Sequence, residues 1–130
     1  MPPLNVAVIG CGSLARSQHL PNIVRSAKMR LHTCCDVSAE ILTICQREFK
    51  PLYLSTDWQS VVANPEVETI VLATTEKLRL PVIKLCADFG KPVYVEKPLA
   101  TTLDEAYKIQ EVVNTSSIPF CIGHNRRAAP

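Results

Sequence analysis

The chain has 130 residues, of which 47% are hydrophobic and 20% are charged, and its formal net charge is +2 at pH 7. This length allows one domain, residues 1–130, with enough apolar side chains for a buried core, and it leaves no room for two domains. The small net charge and the interspersed charges predict no nucleic-acid partner. Because no signal peptide precedes the first apolar run, and no run reaches the roughly 20 residues of a membrane span, we expect a soluble, cytoplasmic protein without a membrane partner.

Apolar runs of strand length alternate with amphipathic stretches of helix length along the chain. This alternation predicts an α/β fold with a doubly wound parallel sheet, in which helices join the strands. The predicted strands are near residues 5–9, 29–36, 52–55, 69–73, 92–96 and 119–124, and the predicted helices are near 14–26, 39–49, 57–63, 78–89 and 103–115. Right-handed crossovers, with a glycine turn after the first strand, predict the strand order 3-2-1-4-5-6.

Two helix starts and one bend carry sequence signals of their own. Thr56 with Gln59, and Thr102 with Glu105, fit the capping box that begins a helix. Pro21 interrupts the first predicted helix, so we expect that helix to be bent or split.

The first predicted strand runs directly into a GxGxxA turn over residues 10–15. Gly10 permits the backbone dihedrals of a tight turn, Gly12 lacks a Cβ and lets phosphate oxygens approach the main chain, and Ala15 allows close helix packing. Backbone N–H groups at a helix N-terminus attract a pyrophosphate. The turn therefore predicts a nucleotide-binding site formed by Gly10, Cys11, Gly12, Ser13 and Leu14.

Asp36 stands at the end of the second predicted strand, 21 residues after Ala15. An acidic residue at this spacing can accept hydrogen bonds from the adenosine ribose of a dinucleotide. A carboxylate repels a 2′-phosphate, and residues 37–39 include no Arg or Lys to bind one, so NAD is favoured over NADP as the cofactor. The alternative is that Asp36 caps the helix that begins at Ser38.

The carboxyl ends of the other central strands are where further ligand contacts are expected in such a sheet. They hold Ala73, Thr74 and Thr75 after the fourth strand, Glu96 and Lys97 after the fifth, and residues 124–127 after the sixth. A lysine at a strand end can take the proton of a substrate hydroxyl during hydride transfer, or stabilise charge on its oxygen. Lys97 is thus a candidate catalytic residue, and a solvated strand-end lysine is the alternative.

The cysteines and histidines predict no metal site. The six cysteines, at positions 11, 34, 35, 45, 86 and 121, form no CxxC pair and lie mostly in apolar segments, as reduced core thiols do. Cys11 has two interpretations, a small filler between glycines or a thiol whose pKa is lowered by the helix N-terminus. The three histidines are far apart in sequence. We expect His19 to pack at the helix bend, with a place in the cleft as the alternative, and His32 to lie at the surface.

Three segments stand in order along the chain: residues 8–12 followed by His19-Leu20-Pro21, then Gly90-Lys91-Pro92-Val93-Tyr94-Val95-Glu96-Lys97-Pro98-Leu99-Ala100, then residues 122–127. Together they resemble the N-terminal domain of the glucose–fructose oxidoreductase, inositol dehydrogenase and rhizopine catabolism family. The resemblance covers essentially the whole chain. It implies a nicotinamide-dependent oxidoreductase whose substrate is a sugar, a cyclitol or a related polyol.

The resemblance also implies roles for individual residues. Lys97 would lie near the nicotinamide and the substrate and act on the reacting hydroxyl, while Glu96 would shape the same turn beside the cofactor. Asn125 and Arg126 would lie close to the cofactor and the substrate cleft. The chain departs from the family after the fourth strand, where 74–76 and Arg79 stand in place of a threonine-proline-asparagine turn and a later histidine.

Members of the family continue into a second α/β domain, which builds most of the substrate pocket and mediates homo-oligomerisation. By this comparison we expect the chain to be an excised nucleotide-binding domain, inactive by itself, with a naturally short protein as the alternative. A non-enzymatic dinucleotide-binding sensor or regulatory module is the alternative function.

Overall fold

A parallel sheet forms the centre of the computed structural model, which describes residues 2–123; the predicted site residues Asn125 and Arg126 lie outside the described residues. Within that range the strands are β1 Leu4–Ile9, β2 Met29–Cys35, β3 Tyr53–Ser55, β4 Thr69–Leu72, β5 Val93–Glu96 and β6 Phe120–Gly123. They are arranged as β3-β2-β1-β4-β5-β6, and every neighbouring pair is parallel. The predicted fold class and strand order are confirmed.

The helices lie between the strands, as the alternation predicts. They are α1 Leu20–Arg25, α2 Ala39–Phe49, α3 Trp58–Ala63, α4 Arg79–Asp88 and α5 Leu103–Ser116, with a π-helical turn Ala15–His19 before α1 and a 3₁₀ turn Glu76–Leu78 before α4. The first helical segment is continuous and changes from a π-helical turn to an α-helix at Leu20, with helical dihedrals at His19 and Leu20. Pro21 therefore follows a π-helical turn and does not divide the segment in two. None of the helices in the described part of the chain is long and apolar enough to cross a membrane.

Side-chain caps mark where two of these helices begin. The Thr102 hydroxyl accepts a hydrogen bond from the amide of Glu105 at 3.2 Å, which confirms the predicted start of α5. At α3 the prediction is wrong by one residue: the carboxylate of Asp57, not the hydroxyl of Thr56, accepts from the amide of Gln59 at 3.1 Å. Either side chain suits an N-cap, so the sequence pattern alone could not choose between neighbours.

Buried apolar side chains cover both faces of the sheet. Because successive side chains of a strand point to opposite faces, Val6 and Val8 of β1 pack with α1 and α2, while Ala7 and Ile9 pack with α3, α4 and α5. Each fully buried aliphatic side chain stabilises the fold by about 1.5–3 kcal/mol. With both faces covered, the carboxyl ends of the strands form the edge at which a ligand can reach the backbone.

His32 of β2 is buried, with 1% of its surface exposed, and the prediction of a surface position was wrong. Its ring hydrogen-bonds to the Thr33 hydroxyl at 2.7 Å and to a Glu66 carboxylate oxygen at 2.9 Å. These two partners satisfy both ring nitrogens, which is the condition for burying an imidazole. The alternation of β2 could not show this, since a sheet covered on both faces buries either side of a strand.

Candidate functional site

A cavity of about 300 Å³ opens at the carboxyl ends of the central strands β1 and β4. From this neighbouring pair, successive strands are added in opposite directions across the sheet, β2 and β3 on one side and β5 and β6 on the other. This is the switch point at which parallel α/β sheets bind their ligands. Six of the residues predicted to bind the cofactor line it: Gly10, Gly12, Asp36, Ala73, Thr74 and Thr75. Val37, Thr56 and Trp58, from the ends of β2 and β3, line it as well.

Gly10 is required by the packing of the glycine turn against the end of β4. Its φ is +92°, and a Cβ built on it would lie 2.7 Å from the carbonyl carbon and oxygen of Ala73 and from the Thr74 amide nitrogen. Only glycine fits such a conformation and such an approach without strain. The Gly10 amide donates to the Cys35 carbonyl at 2.8 Å, so the turn is fixed to β2 as well as to β4.

Gly12, unlike Gly10, is not packed against other atoms, because a Cβ built on it would have no heavy atom within 4 Å. The packing of the chain therefore does not require glycine at this position. Because Gly12 has no side chain, the space in front of its main chain is open, and a phosphate oxygen needs such space to approach the backbone. Ser13 and Leu14 follow at the exposed start of the first helical segment.

Asp36 joins the glycine turn to the loop after β2. One carboxylate oxygen accepts from the Cys11 amide at 2.8 Å, and the other accepts from the Ser38 amide at 2.9 Å. Each oxygen keeps a free lone pair and the residue is half-buried in the cavity wall, so the carboxylate can still accept from a ligand hydroxyl. The alternative role as the cap of α2 is wrong, since the Ser38 hydroxyl itself caps that helix by accepting from the Ile41 amide.

Glu96 and Lys97 end β5 on the side of the site away from Asp36. Glu96 is buried, and its carboxylate hydrogen-bonds to the His19 ring, which packs edge-on against Tyr94 with ring centroids 5.6 Å apart. This places His19 at the helix bend, as predicted, and turns the Glu96 side chain toward protein. Lys97 is exposed, and neither it nor Glu96 lines the cavity, so their predicted contacts with a cofactor stay predictions.

Arg79, at the start of α4, is a functional candidate that sequence reasoning named only as a departure from a family pattern. Its side chain is 3% exposed, and burial lowers its pKa. The guanidinium donates to the Thr74 carbonyl at 2.9 Å and also to the carbonyls of Glu96 and Pro98. One buried cation thus holds the loop after β4 and the turn that presents Lys97 in a fixed relation.

The cysteines lie in the core, as predicted, except for Cys121, which is exposed. A hydrogen bond with Cys34, together with burial, raises the pKa of the Cys11 thiol far above its usual range. The alternative that the helix N-terminus activates Cys11 is therefore wrong. Its side chain fills the core, and its main-chain amide donates to the Asp36 carboxylate; a contact of Cys11 with a cofactor stays a prediction.

Buried thiols also make the stability of the fold decrease at alkaline pH. Burial raises the pKa of Cys86 from 9.0 to about 12, so the folded chain keeps a proton that the unfolded chain releases above pH 9.0. A raised folded pKa gives stability that is complete below pH 9.0 and is lost as the pH rises toward 12. Between about pH 8 and about pH 10 we expect the unchanged chain to lose about 1.4 kcal/mol more of its unfolding free energy than Cys86→Ala does. Urea unfolding at both pH values measures the difference, and equal losses would contradict the shift.

Comparison with known proteins gives a family match. The oxidoreductase family with an NAD-binding Rossmann fold, named for Gfo, Idh and MocA, matches residues 4–124. The levoglucosan dehydrogenase of Pseudarthrobacter phenanthrenivorans is 25% identical, and the alignment covers 100% of this chain and 35% of that protein. This chain spans 35–37% of the length of the first three curated relatives that it matches.

Solved structures share the same architecture. An oxidoreductase of Desulfitobacterium hafniense DCB-2, provisionally named as NADPH-dependent, has a TM-score of 0.83 at 28% identity, covering 97% of this chain and 36% of that one. The scyllo-inositol dehydrogenase of Lactobacillus casei, solved with NAD(H) and scyllo-inositol, has a TM-score of 0.90 at 20% identity, covering 98% of this chain and 38% of that one. At that identity the second likeness shows the fold alone.

Proposed function

This chain belongs to the Gfo/Idh/MocA oxidoreductase family, with its NAD-binding Rossmann fold, and we propose that residues 1–130 are the cofactor domain of an enzyme that transfers hydride between NAD and a sugar, cyclitol or related polyol. One observation carries the proposal: the open main chain at Gly12 and the carboxylate of Asp36 line the same cavity. A dinucleotide needs both features at one site, because its pyrophosphate accepts hydrogen bonds from backbone amides and its ribose hydroxyls donate hydrogen bonds to a carboxylate.

The residues of the cavity fit this cofactor. Gly12 leaves room for the phosphates, Asp36 has free lone pairs for ribose hydroxyls, and Val37 and Trp58 offer apolar surface beside Asp36 for a base. Thr74 and Thr75 border the opposite side, toward Arg79. Bound NAD supplies the hydride acceptor, and the protein supplies its orientation.

Lys97 is proposed to act on the proton of the reacting hydroxyl, supported by its exposed position directly after β5, at the carboxyl edge of the sheet. Asn125 and Arg126 are proposed cofactor contacts through the family resemblance alone. The polyol class is supported by the family resemblance and by the name of one relative, the levoglucosan dehydrogenase. Because the chain spans about a third of such relatives, we propose that it binds the cofactor but does not oxidise a polyol by itself.

The proposed role of Asp36 is tested by comparing the affinities of the chain for NADH and NADPH. In titration calorimetry the 130-residue chain is expected to bind NADH at least about tenfold more tightly than NADPH, because the Asp36 carboxylate repels a 2′-phosphate by about 1–4 kcal/mol at contact distance. Asp36→Asn removes the charge while keeping an amide oxygen as an acceptor, so we expect the ratio of the two affinities to shrink to about threefold or less.

Asp88→Asn is the matched control, since Asp88 is exposed at the end of α4 and outside the cavity. It should change neither affinity. Equal binding of the two cofactors by the unchanged chain, or tighter binding of NADPH, would overturn the role proposed for Asp36. Failure to bind either cofactor would overturn the proposed function.

A further inference from the structure

Three cysteines meet beside the glycine turn, although they are far apart in sequence. Cys11 comes from the turn itself, Cys34 from β2 and Cys45 from α2. Their sulfur atoms all lie within 4.8 Å of one another, and each residue is fully buried. We call these three residues the thiol cluster.

We propose that the thiol cluster is a binding site for a soft, thiophilic metal ion, specifically Cu(I), held by three sulfur atoms. Metal–sulfur bonds of about 2.3 Å in a trigonal arrangement place the sulfurs about 4 Å apart. The observed separations are already within reach of that arrangement by small side-chain rotations. Nothing in the proposed cofactor function uses these three sulfurs.

The donor set favours Cu(I) over other ions. Thiolate sulfur is the ligand that soft ions prefer, whereas Mg²⁺ and Ca²⁺ require oxygen. A structural Zn²⁺ takes four ligands. Within the described residues, no histidine or carboxylate joins the three sulfurs as a further ligand of the group. The surrounding side chains are apolar, among them Val8, Leu20 and Leu42. A three-coordinate ion suits such a closed, sulfur-only site.

Binding exchanges protons for the metal and involves no oxidation. Three S–H bonds break, three protons leave to solvent and three sulfur–copper bonds form, while copper stays Cu(I). The product has three negative sulfurs and one positive ion, so a nearby cation is needed in an apolar core. Arg16 provides one, since its positive charge acts on the Cys45 sulfur. In the described part of the chain the Arg16 Nε–H is buried and has no hydrogen-bond partner.

The three ligands join separate elements, so the ion would tie the glycine turn, β2 and α2 together. A ligand that binds only the folded state stabilises it in proportion to the logarithm of its concentration over its dissociation constant. We therefore expect one equivalent of Cu(I) to raise the melting temperature by at least about 5 °C. The exposed thiol of Cys121 could bind copper at the surface, so all samples carry Cys121→Ser.

The test is an anaerobic titration of the reduced 130-residue chain with Cu(I) supplied as its bicinchoninate complex. We expect one Cu(I) per chain, and an X-ray absorption spectrum with three sulfurs at about 2.3 Å. Cys45→Ala should weaken binding at least about 10-fold, since removing a ligand costs no less than the 10–100-fold of losing a second-shell partner. Cys86→Ala is the matched control, because Cys86 is equally buried but packs on the other face of the sheet, and it should bind as the parent does.

Three results would overturn the site: no Cu(I) retained against bicinchoninate, nitrogen or oxygen ligands in the spectrum, or equal losses in Cys45→Ala and Cys86→Ala. The spectrum is recorded on a chain with all three cluster cysteines intact, so it decides the question even where Cys45→Ala does not fold. NADH binding plays no part in these readouts. Failure of the copper site and failure of the cofactor proposal are thus distinguishable.

Discussion

Replacing Gly10 by alanine is expected to lower the free energy of unfolding by about 3–5 kcal/mol, among the largest effects of a single substitution. The added methyl group would lie 2.7 Å from three backbone atoms of Ala73 and Thr74, and the φ of +92° is one that alanine rarely adopts. Backbone at the end of a buried strand cannot move aside as a flexible side chain can, so both the turn and β4 must shift. Urea denaturation followed by circular dichroism measures the loss.

Gly12→Ala is the matched control for this prediction. Its methyl group meets no heavy atom within 4 Å, so stability should change by no more than about 1 kcal/mol, as for glycine-to-alanine changes in general. NADH binding should nevertheless weaken by at least about tenfold, because the methyl group occupies the space proposed for a phosphate. Equal stability of the two variants would contradict the close packing at Gly10, and unchanged NADH binding by Gly12→Ala would contradict the phosphate site.

The glycine turn shows which structural features a sequence motif can predict and which it cannot. The GxGxxA pattern predicted a tight turn at Gly10, and the positive φ confirms it. The pattern could not show that Gly10 presses on the end of β4, because that contact depends on the register in which Ile9 lies beside Leu72. Register is a property of the assembled sheet and has no local signature near residue 10.

The spacing predicted that Asp36 lies beside the glycine turn, and it does line the same cavity as Gly10 and Gly12, but its contacts with the protein were not predicted. Its carboxylate accepts from the amides of Cys11 and Ser38, so it holds the glycine turn in shape before any ligand binds. The spacing rule describes the ligand contact only. A carboxylate suits this place better than a neutral acceptor, because hydrogen bonds from backbone amides to a charged acceptor are stronger.

The residues that sequence reasoning missed share one physical feature. Lys91 is buried and donates to the carbonyls of Asn64 and Val67, and Arg79 likewise donates only to carbonyls. Every residue has a backbone carbonyl, so the sequence does not indicate which carbonyls will accept a hydrogen bond from a buried Lys or Arg. The thiol cluster was missed for a related reason, because its three cysteines lie on three different elements and form no spaced motif.

Replacing Arg79 by methionine is expected to destabilise the chain by about 3–5 kcal/mol, the cost of removing one partner of a buried charged interaction. Methionine keeps much of the length and apolar volume but leaves the buried carbonyl of Glu96 and the partly buried carbonyls of Thr74 and Pro98 without the donor that now binds them. Each such loss costs about 1–3 kcal/mol, and some of it is recovered where water can enter. Unfolding in urea gives the total, and amide hydrogen exchange should show the largest loss of protection in the turn at Lys97.

Arg47→Met is the control for removing an arginine, since the Arg47 side chain is 71% exposed and its Glu48 partner lies 4.0 Å away. That change should cost no more than about 0.5 kcal/mol. Arg79→Lys keeps the charge but offers a single nitrogen, which cannot span three carbonyls as a guanidinium does, so its stability should fall between those of Arg79→Met and the unchanged chain. If Arg79→Met and Arg47→Met cost the same, the guanidinium does not hold the turn, and the fixed placement of Lys97 assumed in the proposed function would need another source.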